Sequence, residues 1–236
     1  MGETQDRPAE DAARAHVRSI AIDALERGAP TAWFETLYRE ASGDAAHVPW
    51  ADLAPNAALA TWATPRALAG VSTAAVIGCG LGHDAEFLAA RGVRVTAFDV
   101  SPTAIEWARR LHPRSNVAYE VADLLALPPT WRGAFDLVVE IYTLQALPRS
   151  IREPAATAVV SLVKPGGRLF VFARLRDDAP GSPPFDEKTS GPPWPLGRAE
   201  IPQRLRGLVP EEPLVEVADP ADRSVVRAHG VWKKPS

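Results

Sequence analysis

The apolar positions change period along the chain, and the change divides it. Between residues 9 and 27, Ala13, Val17, Ile20, Ala21, Ala24 and Leu25 recur at helical spacing. This predicts one amphipathic helix, ended by Gly28-Ala29-Pro30. A second helix is predicted over 57–69, after Pro55-Asn56. From residue 74 onward short apolar runs take over, at 74–77, 93–98, 117–121, 135–140 and 162–172, with helical stretches among them. Apolar strands alternating with helices predict a parallel sheet. Ser101 and Pro102 read as the N-cap and first residue of one intervening helix. Ser150 and Glu153 have capping-box spacing for another, running to about residue 162. Further runs at 214–217 and 225–232 suit two last strands, and a short helix is expected around 199–201.

The stretch 73–89, TAAVIGCGLGHDAEFLA, passes from a strand through three glycines into a helix. Such a turn lies at the carboxyl end of a parallel sheet, where open α/β folds bind ligands. A dinucleotide fingerprint would place its third glycine at position 83, which is His83; here the glycines are Gly78, Gly80 and Gly82. That closer spacing suits a nucleoside-like ligand without a pyrophosphate. Asp99 ends the next strand, 19 positions after Gly80, where a carboxylate can accept from both ribose hydroxyls. A capping role for Asp99 is the alternative, and Ser101 fills that role better.

GCGLGHD, FDVSPTAIEWA, ADLL, FDLVVE and LVKPGGRLFV follow in this order, and the series resembles the class I S-adenosylmethionine (SAM) dependent methyltransferases over 71–236. The resemblance implies an α/β, Rossmann-like seven-stranded sheet, mostly parallel, with helices on both faces and the last strand inserted antiparallel. It implies SAM as cofactor and S-adenosylhomocysteine (SAH) as product. Gly78, Cys79, Gly80 and Gly82 would flank the methionine part, Asp99 the ribose and Val100 the adenine. Asp123 would accept from the adenine amine, with Leu124 on the ring face and Glu140 near the positive end of SAM. Residues 1–70 would form a helical extension, and 176–200 a proline-rich loop in the 71–236 core.

Two stretches sharpen the resemblance. Trp33, Pro49-Trp50 and Pro55 precede the first strand, and Gly191-Pro192-Pro193-Trp194 lies in the long loop. Both resemble the thiopurine and thiol/halide methyltransferase group, which implies an acceptor pocket walled by Trp33, Trp50, Tyr142 and Trp194. For each tryptophan alone, ordinary packing is the competing role.

Composition narrows the field further. The chain has 236 residues with a formal net charge of −3, which lacks the basic footprint of a nucleic-acid binder. The one cysteine, Cys79, excludes an intrachain disulfide and a cysteine-based zinc site, and no His/carboxylate cluster suggests a metal. No apolar run has the length of a membrane span, and the N-terminus lacks a signal-peptide layout; a cytoplasmic enzyme acting on a small molecule is expected. A thiolate acceptor needs no dedicated base, whereas oxygen or nitrogen acceptors want one. Candidate bases are His83, Glu140, Asp186 and Glu187. The resemblance to the thiopurine and thiol/halide group makes thiol methylation the first reading. Methylation of a phenolic or secondary metabolite at oxygen or nitrogen, and a non-catalytic SAM-binding protein, remain open.

Overall fold

The computed structural model describes residues 7–177, 191–219 and 225–236. Seven strands form one sheet: β1 (Thr73–Ile77), β2 (Arg94–Asp99), β3 (Ala118–Val121), β4 (Phe135–Ile141), β5 (Val163–Arg174), β6 (Val209–Ala218) and β7 (Val226–Lys233). Their spatial order is β3-β2-β1-β4-β5-β7-β6. The pairs among β1 to β5 are parallel, and β7 is antiparallel to both β5 and β6. The order reverses beside β1, so the carboxyl ends of β1, β2 and β4 open around one crevice. This is the sheet that the family resemblance implied, including the inserted last strand.

The central strands are buried on both faces, which explains their unbroken apolar runs. One core joins Ile77, Val138, Leu169 and Val171 to α6 (Arg149–Leu162). The other joins Val76, Val95, Val139 and Phe170 to α4 (His83–Ala89) and α5 (Pro102–Leu111). A third cluster covers the crevice from the N-terminal side. In it Val17 and Ala21 of α1 (Arg7–Glu26) and Trp33, Leu37 and Tyr38 of α2 (Ala32–Ala41) pack against Leu81, Ala104 and Trp107. Glu35 fastens this cap to α5: its carboxylate accepts from the Ser101 hydroxyl at 2.6 Å and the Thr103 amide at 3.1 Å.

Helix boundaries show where local signals succeeded and failed. Ser101 Oγ accepts from Ala104 N at 3.0 Å, the expected N-cap of α5. The Ser150/Glu153 box does not form. Pro148, at φ −66°, is the N-cap of α6 without a side-chain cap, and Glu153 instead accepts from Arg204 of α7 (Glu200–Arg204) at 3.0 Å. The helix expected over 57–69 ends at Trp62 as α3 (Ala57–Trp62), because Thr64 precedes Pro65 and the proline disfavours helical geometry there. Helix α2 had no expectation attached; its ten residues carry three aromatics and two acids.

Candidate cofactor and acceptor site

One cavity opens at the carboxyl ends of the central strands and has two chemically distinct ends. At the first, Gly78, Asp99, Val100, Asp123 and Leu124 line the wall. Asp99 is 6 % exposed. Its Oδ2 accepts from Gly80 N and its Oδ1 from Ser101 N, both at 3.0 Å. The carboxylate thus ties the glycine turn to the start of α5 and still presents acceptor capacity to the cavity. Burial pushes its pKa up, opposed by these backbone donors. Asp123 accepts from Leu125 N at 2.8 Å, which holds the following turn with Leu124 against the cavity.

The other residues of the glycine turn shape the wall from behind. Cys79, Gly80 and Gly82 are outside the cavity lining. Gly80 has φ +50° and lies under the Tyr38 hydroxyl; Gly82 lies against the Tyr119 hydroxyl. Burial, with the Asp99 charge second, pushes the Cys79 thiol well up, which keeps it protonated and poorly nucleophilic. Asp84 stands at the N-terminus of α4, accepts from Asn56 N at 2.7 Å and has its pKa raised to about 6 by burial. A helix start that already carries a carboxylate is a poor place for a pyrophosphate, consistent with the glycine spacing.

At the second end the walls are aromatic. Trp33, Trp50 and Tyr142 line it, with Phe34 and Tyr38. Trp33 stacks on Phe34 with centroids 3.9 Å apart and meets Trp50 edge-on at 5.9 Å. Trp50 Nε1 donates to the Tyr38 hydroxyl at 2.9 Å. Tyr142 has φ +63°, a left-handed position that bulky residues rarely adopt outside functional sites. Burial raises its pKa to about 12, so the phenol is neutral, and it is hydrogen-bonded to Arg227. Thr143, Gln145, Arg174, Arg227, Pro192 and Pro193 also line the cavity; no sequence signal marked the two arginines.

Trp194 lies outside the cavity lining, contrary to expectation. Its side chain is fully buried, next in sequence to the lining residues Pro192 and Pro193, and its backbone N–H donates to the Gln145 carbonyl at 2.7 Å. The fully buried Arg152 binds the carbonyls of Leu147 and Trp194 and the carboxylate of Glu200. Trp194 therefore anchors the 191–197 segment to the wall.

Neither leading base candidate reaches the cavity. Glu140 is fully buried, with Oε1 accepting from Leu144 N at 2.9 Å and Oε2 without a partner; burial raises its pKa to about 7. It holds the turn that presents Thr143 and Gln145. His83 is half-buried beside His112, with ring centroids 5.3 Å apart, and burial lowers its pKa. Asp186 and Glu187 lie outside the described residues. Among the described residues no histidine or glutamate lines the cavity, and no cluster could hold a metal ion.

Residues 75–167 match the model of a family described as a methyltransferase domain. A 107-residue stretch is 36% identical to a ubiquinone biosynthesis O-methyltransferase of Xanthomonas axonopodis pv. citri (strain 306), covering 44% of this chain and 43% of the relative. The chain thus spans under half the length of the curated relatives it matches. Among solved structures, the N-methyltransferase NodS of Bradyrhizobium japonicum WM9, in complex with SAH, is 25% identical with a TM-score of 0.64, over 85% of this chain and 97% of that one. A structure described by the conversion of a disulfide bond into a thioacetal group during echinomycin biosynthesis is 24% identical with a TM-score of 0.67, over 87% and 93%. The fold is the Rossmann-like one of these solved methyltransferases, and residues 75–167 are similar to a methyltransferase domain. No finding singles out the thiopurine and thiol/halide group. Among the described residues, no helix is long and apolar enough to cross a membrane.

Proposed function

We propose that the chain is a SAM-dependent methyltransferase acting on a small molecule. The observation that carries this is the single cavity joining Gly78, Asp99 and Asp123 to the aromatic walls of Trp33, Trp50 and Tyr142. The first end fits SAM. A buried carboxylate with spare acceptor capacity matches a ribose diol, Asp123 matches an exocyclic amine, and Val100 and Leu124 give the adenine apolar faces. The absence of a side chain at Gly78 leaves room for Thr143, whose Oγ1 would stand 2.6 Å from a Cβ there.

Bound SAM supplies an electrophilic methyl group on its sulfonium. The residues of the chain have the task of orienting donor and acceptor and excluding water. Trp33, Phe34 and Trp50 would form one aromatic wall for the acceptor, and Tyr142 would donate to it. In this reading the described helices before residue 71 cap the acceptor end of the core. Thiol methylation remains the first reading, supported by a lining without histidine or glutamate among the described residues, because a thiolate needs no base. The O-methyltransferase names of the curated relatives favour a phenolic oxygen as the second.

The test is SAH release from SAM with a panel of small thiols, phenols and amines. Release with thiols alone supports the first reading. Release with phenols alone moves the assignment to oxygen. Saturable SAM binding with no release from any acceptor favours a binding protein.

A further inference from the structure

Tyr142 follows β4 in the left-handed conformation, and three contacts fix it there. Its backbone N–H donates to Phe172 O at 3.0 Å, and its ring lies against Phe172 with centroids 5.1 Å apart. Its hydroxyl is hydrogen-bonded to Arg227. A guanidinium has donors and no acceptor, so Arg227 donates and the Tyr142 oxygen accepts. Among the described residues Arg227 is the one polar partner of this side chain, which leaves the phenol's own proton without an acceptor. Both residues line the cavity, so that proton is available to a ligand there. Arg227 is held in turn by an ion pair with Asp219. A hydroxyl that accepts from a fixed cation is polarised and donates more strongly. The other charged side chains at this end are Asp52 and Arg14, both exposed at the mouth, and Arg174, across from Arg227 on β5 and itself already engaged. Asp52 disfavours an anion here, and the arginines favour one.

The geometry points to Tyr142 as the residue that holds the acceptor atom as its anion, a thiolate or a phenolate, by donating its polarised proton to it. The inference rests on the methyltransferase reading for the word acceptor and deepens it. Hydrogen bonding to the charged form of a group favours that form, so the acceptor's proton leaves to solvent and no dedicated base has to line the cavity. Burial keeps the phenol itself neutral, with its pKa raised to about 12, so Tyr142 retains the proton it donates. The acceptor's lone pair then forms the bond to the methyl carbon as the carbon–sulfonium bond breaks, and the electron pair of that bond stays on the sulfur of SAH. For an acceptor whose pKa lies above the ambient pH, the ionised fraction rises more than nucleophilicity falls, so the hydrogen bond is a net gain.

The experiment uses 4-nitrophenol, whose anion is coloured, bound to the chain with saturating SAH so that no methyl group can transfer. The ionisation midpoint of the bound probe is read from its absorbance across a pH titration. It should lie at least about one pH unit below that of the free probe, a roughly tenfold preference for the anion. Tyr142→Phe leaves every charge of the cavity in place, and there at least half of this displacement should vanish with SAH affinity unchanged. Arg227→Gln leaves the phenol in place but unpolarised and should lose part of the displacement. A wild-type midpoint equal to that of the free probe, or no saturable binding of the probe, would overturn the inference. So would a wild-type midpoint retained in Tyr142→Phe, which would make the arginine charges the cause, or one retained in Arg227→Gln. Failure of the chain to bind SAH would sink the methyltransferase reading, while the midpoint measured without SAH still decides this one.

Discussion

The Tyr38 hydroxyl stands 2.8 Å from the point where a Cβ on Gly80 would lie, and Gly80 has φ +50°. Tyr38 is 2 % exposed and is held by the Trp50 indole, so it cannot swing aside freely. The cap helix and the glycine turn are therefore fitted to each other. Gly80→Ala combines left-handed strain of ~1–2 kcal/mol with overpacking of ~1–3 kcal/mol. We expect a loss of about 3 kcal/mol in chemical denaturation. In a Tyr38→Phe background the loss should be smaller, since the opposing oxygen is gone. Strictly additive losses would show that the two residues do not press on each other.

Glu140→Gln should change the pH dependence of stability. The carboxyl is fully buried and its pKa is raised from 4.5 to about 7. The folded state then holds a proton that the unfolded state has released, so the protonated group's stability is full below pH 4.5. It is lost as pH rises through about 7. At about 1.4 kcal/mol per unit, the shift corresponds to ~3 kcal/mol. Glutamine keeps the acceptor for Leu144 N and does not titrate. Denaturation from pH 4.5 to 8 should show wild type falling relative to the variant; parallel curves would place the ionisation elsewhere.

For Asp99→Ala, SAH affinity should fall by about 2–3 kcal/mol, the scale of lost hydrogen bonds to a charged group. The fold should also weaken, because Gly80 N and Ser101 N lose their acceptor. Asp99→Asn keeps one oxygen for these amides and separates the two effects. Wild-type SAH affinity in a folded Asp99→Ala protein, measured by calorimetry, would remove the ribose assignment.

Trp194→Ala should act on stability first. The side chain is fully buried, and truncating a buried tryptophan costs about 3–5 kcal/mol. Binding of SAH and of acceptor should decline together with the folded fraction. A variant of wild-type stability with a selective acceptor defect would return Trp194 to the pocket.

The cofactor end was readable from sequence because its chemistry is local. Gly78, Asp99 and Asp123 each lie at or just past the carboxyl end of a strand, and strand order alone brings them together. Trp33 and Trp50 were placed at the pocket only through the resemblance of the segment before the first strand, and both line the cavity. Trp194 could not be assigned correctly, because the same Pro-Pro-Trp spacing serves a wall residue or its anchor. Arg174 and Arg227 are 53 positions apart in the chain and meet only through antiparallel pairing of β5 and β7. Tyr38 was missed because its partner, Gly80, lies in another element. Glu140 was noticed as a polar residue at a strand end, but burial, which turns it from a candidate base into a support, is invisible in one sequence.

The most direct test is calorimetric titration of the purified chain with SAM, followed by SAH and NAD in competition. The account predicts one SAM per chain, displaced by SAH and not by NAD, with the affinity reduced in Asp99→Ala. No saturable SAM binding, or displacement of SAM by NAD, would contradict it.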